Sequence, residues 1–82
     1  MNIPKHFSPQ QSLPEQILYV LSLLKKATAD EIAMELMELK GISTEEGVAS
    51  LNIEVENALN QLHEERLVKQ LTEPDKKVHY FF

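Results

Sequence analysis

The apolar residues change their period once along the chain, and that change bounds what it can fold into. Up to about residue 65 they recur at helical spacing, and beyond it they alternate, so the chain reads as helices followed by strands. Each helical stretch opens on a cap. Ser12-Leu13-Pro14-Glu15 has the form of a capping box, in which the Ser hydroxyl accepts the Glu15 amide and the carboxylate reaches back to the Ser12 amide. Pro14 sits in the first turn, where no amide is needed. Ile17, Leu18, Leu21 and Leu24 then predict a first helix from about Leu13 to about Lys25.

Thr28-Ala29-Asp30-Glu31 is a second box. Ile32, Ala33, Leu36, Met37 and Leu39 follow as one stripe, and Gly41 supplies a left-handed stop after Lys40. Ser43-Thr44-Glu45-Glu46 offers a third box, here read as a short helical turn over residues 44–49. Gly47 weakens that turn by about 1 kcal/mol relative to Ala. Asn52 is then taken as the cap of a third full helix, with Val55, Ala58, Leu59 and Leu62 buried and an end near Glu65. Residues 67–72 and 77–82 alternate as two strands, and Glu73-Pro74-Asp75-Lys76 has turn chemistry. The fold class predicted is mainly α with a small β-hairpin: a polar arm over residues 1–12 and a three-helix domain with a terminal hairpin over residues 13–82.

Charge is distributed unevenly. Of the net −5, residues 27–65 hold ten carboxylates against Lys40 alone, while both ends of the chain are mildly basic. With no cysteine, disulfides, thiolate metal sites and cysteine nucleophiles are excluded, which suits a cytoplasmic setting. The N-terminal residues Met1 to His6 carry no signal-peptide pattern, and the apolar run from Ile17 to Leu24 is too short to cross a bilayer.

Two segments carry a resemblance. Ala27-Thr28-Ala29-Asp30-Glu31-Ile32-Ala33 resembles the entry to a helix-turn-helix, and Val55-x-x-Ala58-Leu59-x-x-Leu62 running on to Leu67-Val68 resembles a recognition helix leading into a wing strand. Over residues 13–82 the chain is similar to the winged helix-turn-helix superfamily, typified by small bacterial transcription regulators. It departs from that pattern twice. Arg66 stands where glycine is usual, and the connection between the second and third helices reads as long, Gly41 to Leu51.

The resemblance implies a DNA-reading third helix and a DNA-touching wing. Carried over, Asn57, Asn60 and Gln61 would face base edges, and Lys69, Lys76 and Lys77 would meet phosphates. The same helix offers Glu54, Glu56 and Glu64 but no lysine or arginine before Arg66, whereas DNA affinity comes largely from Lys and Arg on phosphates. The expectation is therefore a non-catalytic module for macromolecular recognition that leans to a protein partner or a homodimer, with DNA binding as the alternative. Ile3, Phe7, Tyr80, Phe81 and Phe82 are the candidate interface residues, with Phe81 packing under the arm as the competing assignment. No cofactor, metal or small-molecule substrate is expected. His6, His63 and His79 lack metal-ligand spacing, and two glycines cannot build a phosphate loop.

Overall fold

The computed structural model describes residues 3–82; the first two residues of the predicted arm lie outside them. The order is α1 (Leu13–Leu24), β1 (Lys26–Thr28), α2 (Ala29–Lys40), α3 (Glu45–Glu64), β2 (Lys69–Thr72) and β3 (Val78–Phe81). The strands form one antiparallel sheet in the order β1-β3-β2, so β3 is central. The protein is thus mainly α with a small hairpin-based sheet, a layout compatible with a winged helix. No helix among the described residues is long and apolar enough to cross a membrane.

The caps explain where the helices begin. At α1 the Ser12 hydroxyl accepts from the Glu15 amide at 3.4 Å, but the Glu15 carboxylate accepts from the Ser12 hydroxyl at 3.0 Å instead of from the backbone amide. At α2 both bonds of the box form: Glu31 amide to Thr28 hydroxyl at 3.2 Å, and Thr28 amide to Glu31 carboxylate at 3.0 Å. The core gathers Ile17 and Leu21 of α1, Ile32 and Leu36 of α2, and Leu51, Val55, Leu59 and Leu62 of α3, with Ala27, Val68 and Tyr80 beneath them. Leu39, assigned to the α2 stripe by spacing, is 41% exposed because it lies to one side of the arc defined by Ile32 and Leu36.

The third helix differs from the sequence expectation. Residues 45–64 form one continuous helix capped by Thr44, whose hydroxyl accepts the Gly47 amide at 3.1 Å. Ser43 is not the cap, and Asn52 is an interior residue. Leu51 decides the matter: at 2% exposure it extends the buried stripe of Val55, Ala58 and Leu59 backwards by a turn. Gly47 contributes through space, since a Cβ there would sit 2.8 Å from both Ile42 Cγ2 and Thr44 Oγ1. The connection from α2 is accordingly short, Gly41 to Thr44. Gly41 lies at φ 69°, and the Ile42 amide closes back on the Met37 carbonyl at 2.9 Å.

One further strand, and the way the arm is held by Gln16, escape the sequence reading. β1 pairs Ala27 with Tyr80 and Thr28 with His79, adding a strand to the hairpin. The arm is docked from Ser8 to Gln11 by Gln16, a buried glutamine whose amide donates to the Ser8 and Gln11 carbonyls, each at 3.2 Å. Phe7 packs against the core edge, with its ring 6.3 Å from that of Tyr19.

Candidate macromolecule-binding face

The outward side of α3 is set by helix geometry. With Leu51, Val55, Ala58 and Leu62 turned inward, Ile53, Glu56, Asn57, Asn60 and Glu64 project to solvent. Ile53 is 62% exposed at the middle of this face. Sequence reasoning passed over it, although an isoleucine two positions from a buried leucine on the same helix is off the stripe by construction. Gln61, a candidate base contact, turns toward the next helical row and donates to the Glu65 carboxylate at 3.1 Å.

The candidate cations separate into different places. Lys69 pairs in register with Phe81, which pairs in turn with Lys26, so two lysines flank one half-buried aromatic across the sheet. His63, Arg66, Lys69 and Phe81 line a shallow cleft of about 460 Å³ at the end of α3. Phe81 therefore sits in this cleft, whereas the arm's Phe7 packs on Tyr19. Lys76 lies in the hairpin turn at φ 66°, where its amide closes on the Glu73 carbonyl at 2.8 Å. Asp75 organises that turn. Its carboxylate accepts the Lys77 amide at 2.9 Å and approaches His79 Nε2 at 3.4 Å. The bond from the Lys77 amide is the main cause that holds the Asp75 carboxyl below its ordinary value.

Lys77 lies beside the acidic helices. It shares with Asp30 and Ala29 of the first α2 turn, Glu56 and Asn60 of α3, and Val78 and Tyr80 of β3 a cavity of about 390 Å³. Of the candidate DNA contacts, this cavity brings together Asn60 and Lys77, while Asn57, Gln61, Lys69 and Lys76 are exposed elsewhere. Tyr80 is 8% exposed, and no described residue bonds to its hydroxyl. Burial, with a smaller contribution from the Glu56 carboxylate, pushes its phenol above the ordinary value of 10. Of the candidate interface aromatics, then, Tyr80 is a core residue with one edge on the cavity and Phe7 is held within the chain. Ile3 and Phe82 stay exposed at 36% and 37%.

The ion pairs among the described residues, Lys26–Glu73 and Asp75–His79, both involve the wing. No carboxylate of α2 or α3 is in one, and no group of acidic or histidine side chains there is placed to hold a metal ion. No family model, curated protein or solved structure matches this chain.

Proposed function

We propose that the chain is a non-catalytic winged-helix module for macromolecular recognition, and that the α2/α3 face docks a basic surface of a protein partner. One observation carries this reading: the carboxylates of α2 and α3 are in no ion pair and all but the half-buried Glu35 are exposed, on the helices that a winged helix would use to read DNA. Two charges about 7 Å apart, at an effective dielectric near 40, interact by roughly 1 kcal/mol before screening. Such a face therefore attracts lysines and arginines and repels phosphates. Ile53, exposed among these carboxylates, supplies an apolar contact of the kind found at the centre of protein interfaces. A homodimer is one form the partner can take, and the cytoplasm is the expected setting.

The alternative is DNA binding through Asn57, Asn60 and Gln61 with a basic wing. The exposure of Lys69, Lys76 and Lys77 favours it. Titration of the protein with random duplex DNA at about 50 mM salt separates the two, because phosphate contacts are strongest at low salt. Negligible binding is expected. Tight binding that weakens steeply with added salt would overturn the protein-docking reading. Light scattering across a concentration series tests the homodimer, and a concentration-independent monomer would leave a different protein as the partner.

A further inference from the structure

We infer that the cavity between α2, α3 and β3 receives an arginine side chain presented by the partner, a refinement that rests on the protein-docking reading above. Its chemistry is that of an acceptor site. Asp30 and Glu56 enter from two different helices, and Asn60 adds a neutral amide whose oxygen is able to accept. Against these two carboxylates stands one ammonium, Lys77, on the exposed wing. Tyr80 adds a second feature: the residue is 8% exposed and lines the cavity, and its hydroxyl, bonded by no described residue, stays open to solvent and so to a group on a ligand.

An anion does not fit the site. The helix N-terminus beside it is already closed by the reciprocal Thr28–Glu31 bonds, and Asp30 occupies the first turn. A guanidinium does fit. It offers five donors in a planar fork, enough for carboxylates arriving from separate directions, whereas an ammonium offers three from a point. Ala29, Val78 and the Tyr80 ring edge give the methylene stem an apolar wall. A volume of about 390 Å³ accommodates one such side chain together with bridging water.

The test is an NMR titration of the full chain with a blocked peptide of alternating glycine and arginine. The comparison peptides carry citrulline, which keeps the shape without the charge, and lysine. The arginine peptide should bind best and shift the Tyr80 ring and the Asn60 amide. Glu56→Gln and Asp30→Asn should each weaken it about tenfold, as expected for loss of one charge-assisted bond. Tyr80→Phe, which keeps the ring, should weaken it less, and Lys77→Ala should strengthen it. Glu64→Gln makes the same charge change on α3 outside the cavity and should have a much smaller effect. Thermal melts establish that each variant is folded, and Tyr80→Phe with Lys77→Ala carries the test if a carboxylate variant is not.

Equal weakening by Glu56→Gln and Glu64→Gln would overturn the cavity assignment while leaving protein docking intact. Equal binding of the lysine peptide would overturn the preference for arginine. Failure of every peptide, with duplex DNA binding that Lys77→Ala weakens, would overturn both the cavity and the docking reading. Blocked single arginine binding as tightly as the peptide would make this a small-molecule site and overturn the partner.

Discussion

Among the described residues, three other than glycine have a positive φ, and all three are cations: Lys25 at φ 72°, Arg66 at φ 63° and Lys76 at φ 66°. Each sits at a joint. Lys25 alone separates α1 from β1, Lys76 closes the hairpin turn, and Arg66 ends α3. At Arg66 the geometry is that of a helix stop normally built on glycine, with the Leu67 amide bonded to the Leu62 carbonyl at 2.9 Å and the Arg66 amide to the His63 carbonyl at 3.0 Å. A side chain in that conformation costs on the order of 1 kcal/mol. Arg66→Gly should therefore stabilise the fold by about 1 kcal/mol in urea denaturation, despite the greater freedom glycine has when unfolded. A destabilised variant would mean that the Arg66 side chain makes contacts in its cleft that outweigh the strain. The arginine at this turn, where the winged-helix pattern the sequence resembles has glycine, thus leaves the backbone turn in place and adds a charge to it.

At the scale of elements, Gly47 reverses a simple propensity argument. Alanine is about 1 kcal/mol better than glycine inside a helix. Its Cβ would nevertheless press on Ile42 and on the hydroxyl that caps α3. Gly47→Ala should destabilise the protein by about 1–2 kcal/mol through overpacking. An increase in stability by the same denaturation assay would show that the 41–44 connection yields freely. The same glycine explains where the sequence misleads. Caps and stripes made α1 and α2 legible, because each signal is local. Gly47 and Asn52 are also local signals, and both suggest a break in α3, but the burial of Leu51 outweighs them. β1 was illegible because three residues hold too few alternations to display a period, and its partner lies far along the chain. Asn60 and Lys77 could be named as surface polar residues from the sequence. Their meeting with Asp30 and Tyr80 could not, since it depends on how three elements pack.

For the molecule as a whole, the net −5 is less telling than its layout, with unpaired carboxylates on α2 and α3 and cations at the joints and wing. Like charges on neighbouring helices oppose the compact state, and salt screens them over about 10 Å at 0.1 M. The melting temperature should therefore rise by a few degrees, roughly what 1 kcal/mol gives in a domain of this size, between about 10 and 200 mM sodium chloride. A fall would mean that attraction, such as that of Lys26 for Glu73 between β1 and the wing, dominates the stability. The strand order has another consequence. β3 lies between β1 and β2 yet follows both in the chain, so it is the last of the three to leave the ribosome. At roughly 5–20 residues per second, β1 waits several seconds for the strand that completes it. During that interval the nascent helices can fold by themselves while the edge of β1 stays open, and the sheet closes in a single late step.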